Sequence, residues 1–369
     1  MPPIPAAESP QLFELDEPVV AETQAPATRA RPAPEGRRRQ GRGSRRPVPV
    51  LLAVDGNGLA HRAYHAVGGA EAPPGEARQR VLGMLARIGA ATRPSACVVG
   101  FDDPIRSLRR DRHPGYKSAR PPKDDTLVDL LDELPGLLRQ LGICVAVPSG
   151  LEADDVLGSA AALARRRGVA AALATGDQDA FALVAPTVQV FYLVTGGRME
   201  QVSPSWLRAR YGVGPASYSA FAALRGDASD CLPGVKGIGA VTAAQLLAAY
   251  PTVEEALGDP AGVARLLGGW VAEALVTQRA TYELNRELMA IRDDVPLDVA
   301  ACTRRLDART VAAVPRTTTP PISPAASSAP SPSSAGPPGA APPKPRAGVR
   351  NGATGATMGV APQATEGRA

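Results

Sequence analysis

The sequence predicts an α/β fold: a mostly parallel central sheet flanked by helices, followed by an all-helical subdomain. Three observations carry this. Short apolar runs of strand length (Pro49–Val54, Ala96–Phe101, Ile143–Val147, Val169–Ala174) alternate with helix-length segments, the pattern of buried parallel strands joined by crossover helices. Each run leads into acidic residues. Beyond about residue 204 helical segments follow one another without further strand-like runs.

Residues 1–47 are Pro-, Ala- and Glu-rich, then Arg-rich over Gly36–Arg46; with almost nothing apolar to bury, they read as a disordered tail. Pro49–Val54 is a buried strand ending at Asp55-Gly-Asn-Gly58, with a helix from near Leu59. A helix near Glu76–Ala91 precedes the strand Ala96–Phe101, which ends at Asp102-Asp103. The next stretch is basic (Arg106, Arg109, Arg110, Arg112, Lys117, Arg120, Lys123), punctuated by prolines and carrying Tyr116, a composition suited to a phosphate backbone with one ring for stacking. Asp124–Leu141 is an amphipathic helix adjusted at Pro135, and Ile143–Val147 a third strand. Glu152–Arg167 is a helix carrying Glu152, Asp154 and Asp155 in its first turn, with Glu152 and Asp155 on one face. Val169–Ala174 is a fourth strand running into Thr175-Gly-Asp-Gln-Asp179; Thr187–Val194 and Arg198–Val202 form a hairpin. Helices are expected at Trp206–Tyr211, Ala216–Leu224, Ala240–Ala249, Thr252–Leu257, Ala261–Leu267 and Val271–Met289, after which Ile291–Pro296 returns to the body. Residues 313–369 read as a second disordered tail.

Composition excludes several classes. The formal charge of +5 over 369 residues is modest, so the clustering of charge matters more than its sum. The cysteines (Cys97, Cys144, Cys231, Cys302) are widely spaced without a CxxC, which argues against a zinc ribbon or disulfide framework and fits a reducing cytosol. With only His61, His65 and His113, a His-ligated metal or Ser-His-Asp chemistry is not expected. No apolar run approaches the roughly 18 residues of a membrane span.

Three carboxylates within four positions repel one another, and an N-capping cluster is the plain explanation of Glu152, Asp154 and Asp155. That explanation weakens when Asp55, Asp102, Asp177 and Asp179 arrive at the same edge of one sheet, where open α/β folds place ligand chemistry. An all-oxygen set without His or Cys selects a hard cation, Mg²⁺ or Mn²⁺, and so many carboxylates favour more than one. Two ions ~4 Å apart can activate water and stabilise the leaving oxygen of a phosphodiester. Downstream, Asp227 and Asp230 precede the glycine-rich turn Gly234-Val-Lys-Gly-Ile-Gly239, whose backbone N–H groups at a helix start suit one DNA phosphate. The order GxxGxG, with no buried strand before it, does not fit a dinucleotide fold, and no GxxxxGK[ST] is present.

Residues 49 to about 300 resemble the bacterial 5′-3′ exonuclease branch of the 5′-nuclease (flap endonuclease) family, a 5′-nuclease domain like that fused to DNA polymerase I. The motifs are Val54-Asp-Gly-Asn57 with Arg62; Phe101-Asp102; Leu108-Arg109; Pro114-Gly-Tyr-Lys-Ser-Ala-Arg120; Glu152-Ala-Asp-Asp155; Thr175-Gly-Asp-Gln-Asp179; and Gly226-Asp-Ala-Ser-Asp230 leading into Pro233–Gly239. The resemblance implies a PIN-like nuclease domain over 48–203 with a helical arch at about 104–124. It also implies a helical subdomain over 204–300 with a helix-three-turn-helix (helix-hairpin-helix-type) motif at 226–249. It implies Mg²⁺-dependent hydrolysis of DNA near 5′ ends, flaps and nicks, without sequence preference, in replication and repair. The metal cluster implied by motif position is Asp55, Asp102, Glu152, Asp154, Asp155, Asp177, Asp179, Asp227 and Asp230, some acting through water. Lys117 and Arg120, a helical turn apart, are implied to stabilise the scissile phosphate, and Arg62, Arg109 and Tyr116 to guide the strand. DNA contacts are implied at Gly234, Lys236, Gly237, Gly239 and Thr242, and K⁺ at the carbonyls of Val235 and Ile238.

Two positions depart from the family pattern. Cys231 stands where Asn is usual, and Val241 where a Lys usually precedes Thr242, which implies one weaker phosphate contact. No polymerase segment follows, so a free-standing, monomeric, cytoplasmic and nucleoid-associated enzyme is expected. A PIN-type ribonuclease would share the acidic cluster without needing the 226–249 turn, and a non-catalytic DNA-structure binder would not need the full carboxylate set.

Overall fold

The computed structural model describes residues 48–298, so both expected tails lie outside the described residues. The sheet has the order β3-β2-β1-β4-β5-β6. Its strands are β1 (Val50–Asp55), β2 (Ala96–Gly100), β3 (Cys144–Ala146), β4 (Ala170–Thr175), β5 (Val188–Leu193) and β6 (Met199–Val202). All neighbouring pairs are parallel except β5–β6, the expected hairpin.

The helices in chain order are α1 (Gly56–Ala66), α2 (Glu76–Thr92), α3 (Leu108–Arg112), α4 (Asp125–Gln140), α5 (Ala153–Arg167), α6 (Pro204–Tyr211), α7 (Pro215–Arg225), α8 (Ala240–Ala249), α9 (Val253–Gly258), α10 (Pro260–Leu267), α11 (Gly269–Thr277) and α12 (Arg279–Leu288). Their ends are set by local chemistry. Ser107, Asp124, Ser203 and Thr252 cap helices with side-chain oxygens, each interaction of a kind that contributes about 1 kcal/mol. Pro135 sits inside α4, which runs through it.

Strand alternation divides the core. Leu52 and Val54 of β1 face α1, α2 and α4 with Leu59, Leu82, Leu85, Val99, Leu134 and Leu138. Leu51 and Ala53 face the other way, toward Val156 and Leu157 of α5. This second cluster runs without a break into the helical region through Phe181, Tyr218, Phe221, Leu246, Val271 and Tyr282, so sheet and helices share one apolar interior. No helix among the described residues is long and apolar enough to cross a membrane.

Two expectations fail. The segment expected as a helical arch is the five-residue α3 followed by a run of turns; Arg120 N–H donates to the Lys117 carbonyl at 3.3 Å in turn geometry. The prolines at 104, 114, 121 and 122 punctuate it and keep a longer helix from forming. The helix expected over Val271–Met289 is two, broken at Gln278 (φ −108°, ψ 22°), whose side chain is engaged elsewhere. The return of Ile291–Pro296 is present: the backbone N–H groups of Arg292 and Val295 donate to Asp155 and Ser159 of α5, both at 2.9 Å.

Candidate active site

The register aligns the carboxyl ends of β1, β2 and β4, because Asp55 pairs with Gly100 while Val54 pairs with both Val99 and Ala174. The residues that follow each strand therefore emerge at one edge: Asp55 itself, Asp102 and Asp177. α5 packs under β1 and β2 and brings its first turn to the same edge.

Asp55 caps α1 by accepting from Gly58 N–H at 2.7 Å, and its other oxygen accepts from the Thr175 hydroxyl at 3.0 Å. Asp102 is held from two sides: its Oδ2 accepts from Asn57 Nδ2 at 2.8 Å and its Oδ1 from Ala153 N–H at 2.9 Å. Asn57 in turn accepts from Asp102 N–H, so this one side chain ties the ends of β1 and β2 together. Thr175 similarly links Asp55 to Asp177, whose N–H donates to the Thr175 hydroxyl, and Asp177 accepts from Asp179 N–H at 2.8 Å. The sequence reading quoted Asn57 and Thr175 within motifs but gave neither a role.

Asp154 is the singular member. Its Oδ1 is buried and has no hydrogen-bond partner, a costly state for a charged oxygen in a finished protein interior. Burial, then the neighbouring Asp177 and Asp55, push its carboxyl well above the ordinary range. Burial also raises Asp55 to about 6, despite the Gly58 hydrogen bond, with Asp102 and Asp177 adding repulsion. Asp102, Asp177 and Asp179 are raised by burial first and by neighbouring carboxylates next; for Asp177 and Asp179 those neighbours include Asp227 and Asp230. These residues therefore feel one another as a single acidic cluster. Among the described residues no three of them close around one point tightly enough to form a finished ion site. The donor set still fits a hard divalent cation: it is all oxygen, crowded with like charge, and contains one buried oxygen with nothing to bind.

A carboxyl with a raised value in the fold favours folding while protonated. Its contribution is complete below the unfolded value, 3.8 for Asp55, and is lost as pH rises through about 6. Thermal melts in chelator should therefore fall through this window, and added divalent metal should restore more stability at its top than at its bottom. A chelated protein whose melting temperature stays flat or rises there would count against the cluster.

Lys117 enters the acidic group as its internal cation. Its Nζ lies 2.9 Å from Glu152 Oε2 and 3.9 Å from Asp230 Oδ2. Burial disfavours its charge, but Glu152 and Asp230 outweigh that and the ammonium is held above its usual value. Arg120 pairs with Asp230 and donates to the Ser229 carbonyl. Asp227 caps the turn after it through Ser229.

Three sequence-assigned residues are placed differently. Asp155 is fully buried and faces away from the cluster: it accepts from Arg109 Nη1 and Nη2 at 2.8 and 2.9 Å, from Glu152 N–H at 3.0 Å and from Arg292 N–H. With its lone pairs so occupied it is no direct metal ligand, and its bond to Glu152 N–H completes a capping box on α5. Arg109 is spent on Asp155 and on the carbonyls of Leu288 and Ala290 at the end of α12, so it does not face a strand. Tyr116 is buried and donates to Glu152 Oε2 at 3.1 Å, which leaves no ring face for stacking.

Cys231 follows Asp230 in the left-handed region (φ 58°, ψ 31°), with Ala119 N–H directed at its Sγ at 3.2 Å. Asn tolerates this conformation better than other side chains. Cys231→Asn is accordingly expected to stabilise the fold by about 0.5–1 kcal/mol in denaturant titrations; a loss of stability would show that the Ala119 contact dominates.

The glycine-rich turn lies between α7 and α8. Val235 and Ile238 bury their side chains; Val235 N–H donates to the Leu224 carbonyl and Ile238 N–H to the Val235 carbonyl, both at 2.8 Å. A carbonyl has a second lone pair, so the Val235 oxygen retains capacity for a cation. Gln278 grips Lys236 from below, accepting from its N–H at 2.8 Å and donating to its carbonyl at 3.3 Å. This explains the break before α12 and is a role no sequence signal announced. Gly237 has φ 92°, and a Cβ there would lie 2.4 Å from the Trp270 ring, so any other residue would distort the turn. Gly239 begins α8 with no side-chain cap, leaving first-turn amides beside exposed Lys236, with Thr242 half-buried and Val241 exposed.

The chain is similar to known proteins over most of the described residues. Residues 50–212 match the 5′-3′ exonuclease N-terminal resolvase-like domain, and residues 213–310 the 5′-3′ exonuclease C-terminal SAM fold. The chain is 35% identical over 267 residues to DNA polymerase I of Mycobacterium bovis, covering 71% of this chain and 29% of the polymerase. To the thermostable DNA polymerase I of Thermus aquaticus it is 34% identical over 265 residues, covering 70% and 30%. It thus spans less than a third of the length of these relatives. Among solved structures it is similar to the bacteriophage T5 D15 protein co-crystallised with metal ions (TM-score 0.54, 19% identity, 65% of this chain and 89% of that one). It is also similar to the T5 5′-exonuclease with zinc bound (TM-score 0.54, 19% identity, 71% and 96%). Those structural likenesses bear on the fold: a PIN-like domain with a mostly parallel sheet, joined to a helical SAM-like part. With consecutive matches to both halves over residues 50–310, the chain belongs to the 5′-3′ exonuclease family.

Proposed function

We propose that this protein is a divalent-metal-dependent 5′-3′ exonuclease and 5′-flap endonuclease that hydrolyses DNA phosphodiester bonds in replication and repair. The observation that carries it is the buried, unpartnered Asp154 oxygen within a cluster of strand-end carboxylates. Asp55, Asp102, Asp154, Asp177 and Asp179 hold Mg²⁺ or Mn²⁺ in this reading, with Glu152, Asp227 and Asp230 contributing through water and Asp155 acting only on the frame. A pair of ions held by these residues would activate a water for attack and offset charge on the leaving oxygen.

The chain's own groups do the rest. Asn57 and Thr175 fix the carboxylates so that little reorganisation is needed when charge develops. Lys117, released from Glu152 as a phosphate arrives, places a cation beside the scissile group, and Arg120 can leave Asp230 for the same strand. The uncapped start of α8, Lys236 and Gly237 take a phosphate of the duplex, and the Val235 and Ile238 carbonyls a K⁺ ion. Val241, with no charge to offer, leaves this grip weaker than a Lys would.

The direct test offers purified protein and Mg²⁺ a 5′-flap DNA, a nicked duplex and the matching RNA flap. Preferred cleavage of the DNA flap is expected. No turnover in either Mg²⁺ or Mn²⁺, or faster cleavage of the RNA, would overturn the reading.

A further inference from the structure

On the flank of the cluster formed by α3 and the following turns, the cations Arg109, Arg112, Lys117 and Arg120 are all committed to carboxylates. The opposite flank is arranged differently. A cavity of about 60 Å³ lies between α1, α2 and the β5–β6 hairpin. Arg62 of α1, Arg87 of α2 and Arg198, just before the hairpin's second strand, line it, over a floor that includes Met84, Ile88 and Leu193, and no acidic residue lines it. None of the three guanidinium groups has a hydrogen-bond or ion-pair partner among the described residues. Arg62 is half-buried, while Arg87 and Arg198 are exposed at the rim.

Three guanidinium groups drawn to one small cavity without a counter-charge repel one another, and a shared anion relieves that repulsion. The cavity also adjoins the acidic edge. Arg62 Nη2 lies 2.7 Å from where a Cβ on Gly176 would stand, so the guanidinium rests against the backbone one residue before Asp177. A guanidinium presents a planar fork of N–H donors matched to phosphate oxygens, and three of them can surround one phosphate.

We propose that Arg62, Arg87 and Arg198 form a phosphate-binding pocket that anchors the DNA on the β5–β6 side of the acidic cluster, separately from the glycine-rich turn. This rests on the DNA-nuclease reading above and adds a second fixed phosphate, beside the Gly176–Asp177 end of the acidic cluster. The group bound is either an internal phosphodiester or a terminal phosphate monoester; both present the same oxygens.

The test uses full-length protein, wild type and the double variant Arg87→Gln/Arg198→Gln, whose exposed side chains should not disturb folding. Binding of flap DNA is measured by anisotropy in Ca²⁺ over a range of salt, on strands with and without a 5′-phosphate. The variant should bind about tenfold more weakly, with the slope of log affinity against log salt reduced by about 1, as for one lost phosphate contact. An equal loss on both strands supports an internal phosphodiester; a loss confined to the 5′-phosphorylated strand supports the monoester. Affinity within twofold of wild type and an unchanged slope on both strands would overturn the pocket. Wild-type protein that binds neither strand would instead overturn the DNA reading, and the pocket's ligand with it.

Discussion

Asp154→Asn is expected to lower flap cleavage by about 10³-fold while raising the thermal stability of the metal-free protein. The two effects have opposite signs for one reason. Asp154 carries a buried oxygen with no partner, surrounded by Asp177, Asp55 and Asp179. In chelator that charge only costs free energy, so an isosteric neutral side chain relieves repulsion. A relief of about 1 kcal/mol corresponds to roughly 2–4 °C at this size. In the proposed function this oxygen binds the metal, so removing its charge should shrink the metal-induced rise in melting temperature along with turnover. A mutation that merely damaged the fold would lower stability in chelator and leave the metal increment in proportion. Metal stabilisation equal to that of wild type would remove Asp154 from the ligand set.

Much of this site was legible in the sequence because its signals are local. A buried parallel strand must be apolar on both faces, so a carboxylate interrupting the run marks the strand's end. Asp55, Asp102 and Asp177 could each be placed from their own neighbourhoods. Convergence then followed from parallel topology alone. Choices between partners far apart in the chain were not legible. Helical spacing places Glu152 and Asp155 on one face of α5, but nothing in it says that Asp155 turns toward Arg109 and Arg292 while Asp154 turns inward. The basic stretch read as a strand contact because counter-charges such as Glu287 and Asp230 lie more than 100 residues away. Gln278 reads as an ordinary helical residue until its contact with Lys236 is seen. Arg87 and Arg198 belong to separate elements and gain meaning only beside Arg62.

The second large effect is structural. Arg109→Ala is expected to cost about 3–5 kcal/mol of folding stability, measured by chemical denaturation. Asp155 is fully buried and its charge is balanced by the two Arg109 nitrogens. Arg109 itself is held above its usual value, because the Asp155 and Glu152 charges outweigh the burial that opposes it. Truncation strands that carboxylate and also frees the Leu288 and Ala290 carbonyls that Arg109 satisfies at the end of α12. One side chain therefore joins the basic segment, the first turn of α5 and α12, behind the acidic cluster. The double variant Arg109→Ala/Asp155→Asn separates this role from strand guidance. Neutralising Asp155 removes the stranded charge while Asn can still accept from Glu152 N–H, so the double variant should recover part of the loss. Strand guidance predicts the reverse pattern, with near-normal stability in Arg109→Ala, weakened DNA binding, and no rescue by Asp155→Asn. Observing that pattern would return Arg109 to the substrate and Asp155 to the candidate metal ligands.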